Sequence, residues 1–378
     1  MKKKLLIIGI TMNAAGTERS FLSFAPRLDR EKYDVELLLA SASGDFLPLV
    51  PTWIKIKEMG ELGEIFKITK HNSVSVIKKL FLKKNPFFAF RLLPDIIKMR
   101  KGGKERDYAA NRIWMKLMAK MPVYEGEYDA ALAYWGDHTM FYMVDKVIAK
   151  KKIAWLHFDY DEPPREDALY LPYFEKCDKI ITVSAEIERS LVERFPQLRG
   201  KTETVENFTD EKEILEKAKE PCDYRDGFDG TVILSVGRLC EQKGFDLAIP
   251  AVSKLFSQGE NIRYYIIGEG EEAYKEKLGR IIKEAGAENY IKILPQTDNP
   301  YKYMARCDIY LQPSRHEGKP IVVEEAKILG KSICATNYKS AREQLSGVEN
   351  SVICEISEGG IYNGMKKMMD KKRVFEDL

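Results

Sequence analysis

The sequence predicts an α/β protein with two Rossmann-like, doubly wound domains that face a central cleft. Three observations lead to this fold class. The chain has 378 residues, which is too long for one ordinary hydrophobic core. Short apolar runs without polar alternation recur along it, as is typical of parallel strands covered on both faces. Helix-length stretches separate these runs, as in repeated strand–helix units.

Eleven apolar runs are the candidate strands of the two sheets. In the first half they cover residues 5–10, 35–40, 130–134, 153–156 and 180–183. In the second half they cover residues 232–236, 264–267, 291–294, 309–311, 332–335 and 352–354. Residues 245–256, 274–285 and 360–371 are candidate helices of the second half.

A polar, turn-rich stretch over residues 212–230 separates the two sets of strands. We therefore predict an N-terminal domain over residues 1–205 and a C-terminal domain over residues 206–378. In open parallel sheets, ligands bind outside the carboxyl ends of the strands. The cleft between the two domains is thus the expected site.

Composition indicates a globular protein without a nucleic-acid signature. Hydrophobic residues make up 44% of the chain, charged residues 31%, and the net charge is only +3. Six scattered cysteines form no CxxC pair, so we expect reduced thiols and a cytosolic compartment. The opening apolar run is too short for a signal peptide and is interpreted as a first strand. We expect no membrane-spanning helix.

The segment from Ser314 to Gly330 carries a carboxylate on an apolar helix face. Pro320 suits the first helical position and Gly330 the end of the helix. At 100° per residue, Glu325 falls within the face formed by the apolar residues Ile321, Val322, Ile328 and Leu329. A carboxylate there is costly unless a polar group meets it. Glu325 pairs either with a structural cation or, together with Glu317 in the preceding loop, with a polyhydroxylated anionic ligand.

A loop with two cations follows the candidate strand 232–236. Arg238 and Lys243 lie between Gly237 and Gly244. The glycines let backbone approach a ligand, Arg offers a planar fork to phosphate oxygens, and Lys offers a mobile point charge. The loop either grips a phosphate or carries ordinary surface cations. Residues 268–273 also match the dinucleotide fingerprint, but they follow the second strand of their domain, so a tight turn is the preferred interpretation.

Two residues of the first domain stand at expected carboxyl ends of strands. Gly16 lies in a loop before a helix, whose N-terminus favours an anion. His157 follows the strand 153–156 and either bonds a substrate hydroxyl or satisfies a buried carbonyl. His71, His138 and His316 show no metal-ligand spacing with it, so we predict no metal site. The chain contains no nucleophile elbow and no P-loop.

Residues 78–106 break the strand–helix pattern with a basic, aromatic-rich composition. The segment has ten basic and two acidic residues, a net charge of +8, interleaved with Phe, Leu and Ile. Such a stretch can lie on an anionic bilayer. Alternatively, its helices pack on the first domain and keep their lysines in water.

The motifs of the second half resemble those of the GT-B glycosyltransferases of family 4, retaining enzymes that use sugar nucleotides. Glu317 and Glu325 match the family's E-x7-E motif, and Arg238 and Lys243 match its Gly-Arg…Lys-Gly motif. The sequence Glu-Gly-Lys-Pro-Ile is similar to that of family members that build bacterial surface polysaccharides.

The first half adds two weaker matches in the family's order. Gly16 and Glu18 match its N-terminal glycine loop, although Ala15 stands where the family usually has a glycine. Trp155 and His157 match its Trp-x-His motif. The resemblance therefore covers nearly the whole chain.

The resemblance implies roles for these residues. Arg238 and Lys243 would neutralise the leaving diphosphate, where preorganised charge matters most. Glu317 would face the donor sugar and Glu325 the ribose hydroxyls. The remaining donor-binding residues would be those at the helix N-terminus, Gly318, Lys319, Pro320 and Ile321.

The catalytic set implied by the resemblance is Glu317, His157, Arg238 and Lys243. His157 would contact the sugar from the first domain, and Gly16 would let the acceptor and the β-phosphate approach. Members of the family need no metal, and the leaving phosphate guides acceptor attack on the same face. We therefore assign no cofactor and no protein nucleophile. The family's last helix can cross to the first domain, which makes residues 360–371 a candidate for such packing.

We predict a retaining, metal-independent hexosyltransferase that uses a nucleoside-diphosphate sugar, with UDP favoured over GDP. Its acceptor would be a lipid-linked or membrane-proximal glycan in surface polysaccharide or glycoconjugate synthesis. The predicted partners are the donor, a glycan or glycolipid acceptor and an anionic membrane surface through residues 78–106, but no nucleic acid. The location would be cytoplasmic, at the inner face of the membrane. The alternatives are an epimerase-like GT-B enzyme and a non-catalytic partner subunit of a glycosyltransferase.

Overall fold

The computed structural model describes residues 1–67, 86–99, 103–162, 164–222 and 224–376. The chain forms two compact units, Met1–Glu206 and Asn207–Leu378. This division lies one residue from the boundary that the turn-rich stretch predicted. Residues 78–85 and 100–102 of the basic segment lie outside the described residues.

The first unit is built on a parallel sheet. Its strands are β1 Lys3–Gly9, β2 Tyr33–Leu39, β3 Lys55–Glu58, β4 Glu127–Tyr128, β5 Ala130–Ala133, β6 Ile148–Ala149, β7 Lys152–Leu156, β8 Lys179–Thr182 and β9 Thr202–Thr204. In the described part of the unit, seven of them form one sheet in the order β3-β2-β1-β5-β7-β8-β9, and β4 pairs with β6. The strand order reverses between β1 and β5, which makes this a doubly wound sheet.

Helices connect the strands of the first unit. They are Gly16–Phe24, Pro86–Met99, Gly103–Met118, Asp137–Lys146, Asp167–Lys176 and Ala185–Arg194. The Pro86–Met99 helix packs on Gly103–Met118 with Leu92 fully buried. One apolar core, which includes Leu6, Trp114 and Phe141, joins these helices to the sheet.

The second unit has the strand order of a Rossmann fold. Its strands are β10 Thr231–Val236, β11 Ile262–Ile267, β12 Ile291–Leu294, β13 Ile309–Gln312, β14 Ser332–Thr336 and β15 Ser351–Cys354. All pair in parallel, in the order β12-β11-β10-β13-β14-β15. Numbered within the unit this order is 3-2-1-4-5-6, with the reversal between β10 and β13.

Helices cover both faces of this second sheet. They are Glu211–Ala218, Phe245–Ser257, Glu272–Glu284, Tyr301–Met304, Ile321–Ile328, Ala341–Gln344 and Glu358–Glu376. Successive residues of β10 point into different cores, Ile233 into one and Val232 and Leu234 into the other. The final helix packs against Phe245–Ser257 and the strands β14 and β15, so it takes part in the core of the second unit.

The eleven predicted strands all form, within two residues at either end. The prediction missed β3, β4, β6 and β9, which are short and lack an apolar run. All four residues of β3, for example, are exposed at the edge of the sheet. A strand at the edge of a sheet is less buried than a central strand, so it does not need the hydrophobic run by which central strands are recognised.

Candidate functional site

The site lies where the strand order of the second sheet reverses. Strands β10 and β13 are neighbours there, with Leu234 opposite Tyr310. Their carboxyl ends lead into the loops 237–244 and 313–320, which carry most of the predicted site residues. A reversal of this kind opens a crevice between two loops, which is where such sheets bind ligands.

Backbone and side-chain contacts hold these two loops together. The backbone N–H of Arg315 donates to the carbonyl of Gln242 at 2.8 Å, and the Gln242 amide donates to the carbonyl of His316 at 3.0 Å. Gly244 has φ +68°, and a side chain there would lie 2.0 Å from the carbonyl oxygen of Pro313. Only glycine fits this close approach.

The carboxylate of Glu317 forms an ion pair with Lys243. The Lys243 Nζ lies 2.6 Å from Glu317 Oε1, and both side chains are largely buried, 15% and 8% exposed. Gln312 Nε2 and Ser314 Oγ also donate to this oxygen, at 3.0 and 2.6 Å. The structure therefore brings together two of the predicted catalytic residues, 74 positions apart in the sequence.

The loop that carries Lys243 leaves Arg238 exposed to solvent. A side chain at Gly237 would meet the aliphatic part of Lys243 at 3.5 Å, so the lysine lies over the backbone of the loop. A side chain at Gly268 would lie 1.9 Å from the carbonyl oxygen of Gly237. Gly268 is therefore explained by this close contact between neighbouring turns.

The helix that carries Glu325 begins one residue later than predicted. Pro320 is the N-cap residue, with an extended ψ of 119°, and the helix covers Ile321–Ile328. Gly330 has φ +65° just beyond its end, as predicted. The carbonyl of Pro320 accepts a bond from the buried amide of Gln344 at 2.9 Å.

Glu325 is buried, as predicted, but the predicted apolar face of its helix is incomplete. The fully buried apolar residues are Val323 and Ala326, whereas Val322 and Ile328 are only partly buried. The helix packs on more than one side, so a single stripe does not describe it. Glu325 is 3% exposed and accepts a hydrogen bond from the Tyr301 hydroxyl at 2.9 Å.

Residues 318–321 are buried at the N-terminus of this helix. The side chain of Lys319 is 5% exposed, with its Nζ 3.8 Å from Glu343 Oε1. Its carbonyl accepts a bond from the amide of Asn207 at 3.1 Å. Gly318 and Ile321 are also buried. The segment is thus held in place by contacts within the second unit.

Gly16 and His157 belong to the first unit. Gly16 begins the Gly16–Phe24 helix, and a side chain there would meet nothing within 4 Å. His157 follows β7, and its ring stacks with that of Trp155 at 5.8 Å and lies 4.6 Å from that of Tyr134. These positions agree with the carboxyl edge of the first sheet at which the sequence placed both residues.

Two polar groups of the site were missed by sequence reasoning. The first consists of two buried polar side chains, Gln312 and Ser314, which lie next to Glu317. The second is the ion pair of Asp246 and Arg315, joined by two hydrogen bonds of 2.8 and 3.1 Å. A signal for the first was visible, because a polar glutamine ends an otherwise apolar strand.

Comparison with known proteins identifies the domain that contains this site. Residues 226–372 match the family described as "Glycosyl transferases group 1". The second unit carries a group 1 glycosyltransferase domain. The matched range contains both cations, both glutamates and the two loops of the site. The family that the motifs predicted is thereby confirmed at the level of this group.

Sequence relatives of the group 1 domain include bacterial surface-glycan enzymes. One is the N-acetylgalactosamine-N,N'-diacetylbacillosaminyl-diphospho-undecaprenol 4-alpha-N-acetylgalactosaminyltransferase of Campylobacter jejuni, 32% identical over 203 residues, which are 53% of either chain. An uncharacterized glycosyltransferase of Haemophilus influenzae is 26% identical over 94% of this chain and 86% of its own. The first curated relatives are matched over about half their length, 53% and 52%.

A solved structure shows the fold of the whole chain. The Anabaena protein Alr3699/HepE, in complex with UDP and glucose, superposes with a TM-score of 0.67 at 15% identity. The match covers 98% of this chain and 91% of that protein. The predicted fold class, two Rossmann-like domains of the GT-B type, is confirmed.

Within the part of the chain that the structure describes, no group of three or more His, Cys, Asp or Glu side chains could hold a metal ion. No described helix is long and apolar enough to cross a bilayer.

Proposed function

We propose that this protein is a retaining glycosyltransferase that transfers a sugar from a nucleoside-diphosphate sugar, UDP in preference to GDP. The observation that carries the proposal is the Lys243–Glu317 ion pair at the strand reversal of a group 1 domain. A lysine, an exposed arginine and a carboxylate at one crevice suit a ligand that joins a diphosphate to a polyhydroxylated ring. The Anabaena structure with UDP supports the choice of base.

Charge stabilisation is the main chemical contribution of the second unit. The bond between the sugar carbon and the diphosphate breaks, and negative charge grows on the diphosphate. Lys243 and Arg238 stabilise this charge, and Glu317 and Glu325 accept hydrogen bonds from donor hydroxyls. The acceptor hydroxyl attacks from the same face and gives its proton to a diphosphate oxygen, which retains the configuration. His157 of the first unit contacts the donor sugar, and Gly16 leaves room for the acceptor.

Donor binding and transfer test this function. Thermal shift with UDP, GDP and ADP and their sugars selects the donor, since a ligand at 100 times its Kd stabilises by about 2.7 kcal/mol. Lys243→Met removes the charge but keeps the chain length, and we expect a roughly 10²–10³-fold loss of donor turnover. Lys283→Met, at an exposed lysine of the same unit, is the control. A wild-type protein that binds none of these nucleotides would refute the proposal.

Product analysis distinguishes transfer from the epimerase-like alternative. A transferase releases free nucleoside diphosphate and forms a glycan with retained configuration. The epimerase-like alternative converts the donor into its isomer without an acceptor and leaves no free nucleoside diphosphate. Conversion of the intact donor into its isomer would favour the alternative.

The acceptor is proposed to be a lipid-linked glycan in surface polysaccharide synthesis, at the cytoplasmic face of a membrane. The name of the Campylobacter relative contains diphospho-undecaprenol, a lipid-linked group, and this supports the choice. The Pro86–Met99 helix supplies a second argument. Its inner side buries Leu92 and Asp95, whereas Leu93 and Ile97 are 42% and 56% exposed.

Asp95 fixes which side of this helix faces outward. Its carboxylate accepts bonds from Arg112 Nε at 3.1 Å and Lys116 Nζ at 2.7 Å. Burial raises the pKa of Asp95, but these two bonds outweigh it and lower the pKa below its usual value. Leu93 and Ile97 are thereby held toward solvent on a helix that also exposes Arg91 and Lys98, as in helices that lie on anionic bilayers.

Vesicle binding tests the membrane surface. We expect wild-type protein to co-sediment with phosphatidylglycerol-containing vesicles and a Leu93→Ser/Ile97→Ser variant to bind at least about tenfold more weakly, since each buried aliphatic side chain contributes roughly 1.5–3 kcal/mol. The control variant is Val123→Ser/Ile148→Ser, which changes two other exposed apolar residues of the same unit, each 54% exposed. Equal binding by both variants and wild type would argue against this surface.

A further inference from the structure

Three buried polar side chains stand at the end of β13, directly behind Glu317. Tyr310, Gln312 and Ser314 are 0%, 2% and 0% exposed. Burying such groups is costly unless each forms hydrogen bonds. The central strands of a parallel sheet are otherwise apolar, so this polar set requires an explanation.

The three side chains form a chain of hydrogen bonds that ends on Glu317, which we call the β13 relay. The Tyr310 hydroxyl donates to Gln312 Oε1 at 2.9 Å. Gln312 Nε2 in turn donates to Ser314 Oγ at 2.9 Å and to Glu317 Oε1 at 3.0 Å. The Ser314 hydroxyl donates to the same Glu317 oxygen at 2.6 Å.

The relay sets the direction of the Gln312 amide. Because its oxygen accepts from Tyr310, its nitrogen must face Glu317. A flipped amide would turn its carbonyl oxygen, an acceptor, toward the carboxylate of Glu317, where no hydrogen bond could form. Tyr310 and Gln312 are two residues apart and therefore lie on the same side of the strand. The side-chain hydroxyl of Thr336 further fixes the backbone by donating to the carbonyls of Gln312 and Ser314.

The hydrogen bonds that the described residues donate to the Glu317 carboxylate all end on one of its two oxygens. Lys243, Gln312 and Ser314 contact Oε1. Among the described residues, none donates a hydrogen bond to Oε2. One oxygen of the carboxylate is therefore held by the protein, and the other is left to accept a hydrogen bond from outside.

We propose that Gln312, supported by Tyr310 and Ser314, is a positioning residue that directs Oε2 of Glu317 at a hydroxyl group of the donor sugar. This inference rests on the proposed function, because it assigns the free oxygen to the sugar part of the donor. All three side chains of the relay are buried, and the proposal places none of them against the nucleotide. Its loss should therefore reduce recognition of the sugar and leave recognition of the nucleoside diphosphate unchanged.

Two measurements on the same variants test this separation. Donor turnover is followed as UDP release from UDP-glucose, UDP-galactose, UDP-N-acetylglucosamine and UDP-N-acetylgalactosamine. UDP affinity is measured by calorimetry. For Gln312→Leu we expect kcat/KM to fall at least tenfold with the best donor, while the Kd for UDP changes less than threefold. Tyr310→Phe should show the same pattern with a smaller loss.

Tyr264→Phe is the matched control for the relay. Tyr264 lies on the neighbouring strand β11, is 0% exposed, and shares a 2.9 Å hydrogen bond with Ser235. It resembles Tyr310 in burial and bonding, but its bond does not lead to Glu317. We expect kcat/KM and UDP affinity of this variant to equal those of wild type.

A charge at position 312 gives an independent readout. Gln312→Glu places a second carboxyl group beside Oε1 of Glu317. A pair of adjacent carboxylates takes up its first proton at a higher pH than an isolated carboxylate does, because the two negative charges repel each other. We expect the acidic limb of the pH–rate profile to move to higher pH, a shift that Tyr264→Phe should not produce.

The outcomes separate the two proposals. If wild-type protein turns over no donor, the proposed function fails and this inference fails with it. If wild type is active and Gln312→Leu lowers UDP affinity in proportion to turnover, the relay only maintains the fold. Unchanged turnover in Gln312→Leu and Tyr310→Phe would overturn the inference while leaving the function intact.

Discussion

The buried carboxylate of Glu325 accepts a hydrogen bond from the hydroxyl of Tyr301, a residue that is 24 positions away in the sequence. Hydrogen bonds to charged groups contribute about 1.5–3 kcal/mol, compared with about 0.5–1.5 kcal/mol for neutral pairs. Tyr338 provides the neutral comparison, since it is as buried as Tyr301, 2% exposed, and donates to the Gln344 amide oxygen at 2.9 Å.

Replacing each tyrosine by phenylalanine measures this difference. We predict that Tyr301→Phe lowers the free energy of unfolding by about 1.5–3 kcal/mol and Tyr338→Phe by about 0.5–1.5 kcal/mol. Urea denaturation of the two variants and wild type gives both values. Equal losses would contradict a stronger hydrogen bond to Glu325 than to Gln344.

Single residues also show the limits of sequence reasoning. Glu317, Glu325 and Lys243 were found because the spacing of acids and cations is a local pattern. Tyr301 and Gln312 were not, because their roles follow from which side chains meet in space. The burial of Glu325 was predicted correctly for an incomplete reason, since its helix packs on several sides and not on one stripe.

At the scale of elements, the Asp246–Arg315 ion pair connects the loop 313–320 to the helix that follows the loop 237–244. Asp246 lies in the first turn of the Phe245–Ser257 helix, with its side chain 10% exposed. Lys277 and Tyr274 also donate to it, at 2.8 and 3.1 Å. Burial raises the pKa of Asp246, but the bonds from Arg315 and Lys277 outweigh it and lower the pKa to about 2.

This pair predicts how stability changes at low pH. Because the folded pKa lies below the ordinary value of 3.8, its stabilisation is complete above that value and is lost as the pH falls toward 2. We predict that Asp246→Asn costs about 2 kcal/mol of unfolding free energy at pH 7 and less than about 1 kcal/mol at pH 2.5. Denaturant titrations at both pH values measure this difference.

Asp229→Asn, at an exposed aspartate of the same unit, controls for the change of residue type. Its effect on stability should be small at both pH values. A cost for Asp246→Asn that is the same at pH 7 and pH 2.5 would contradict an electrostatic origin. The loop geometry can be checked in parallel, because a weakened connection should also reduce nucleotide affinity.

The elements themselves divide by how far sequence specifies them. Central strands such as β1 and β10 are buried on both faces, so their hydrophobic runs identify them. The short strands β3 and β9 depend on pairing with a neighbour at a sheet edge, a contact that no local pattern records. The strand order, which places the site at β10 and β13, likewise follows from long-range pairing.

At the scale of the whole molecule, each unit has its own hydrophobic core. The core of the first unit includes Leu6 on β1, and a core of the second includes Leu234 on β10, both 0% exposed. Independent cores allow each unit to unfold in a transition of its own. The predicted nucleotide ligands of the second unit then stabilise only the transition of that unit.

Calorimetry with a matched pair of core variants tests this. We predict two heat-unfolding transitions. Leu6→Ala should lower one midpoint and Leu234→Ala the other, since each removes buried methyl groups at a cost of about 2–5 kcal/mol. UDP at 100 times its Kd should raise only the midpoint that Leu234→Ala lowers. If UDP raises instead the midpoint that Leu6→Ala lowers, the nucleotide binds the first unit, and the placement of the diphosphate at Lys243 is wrong.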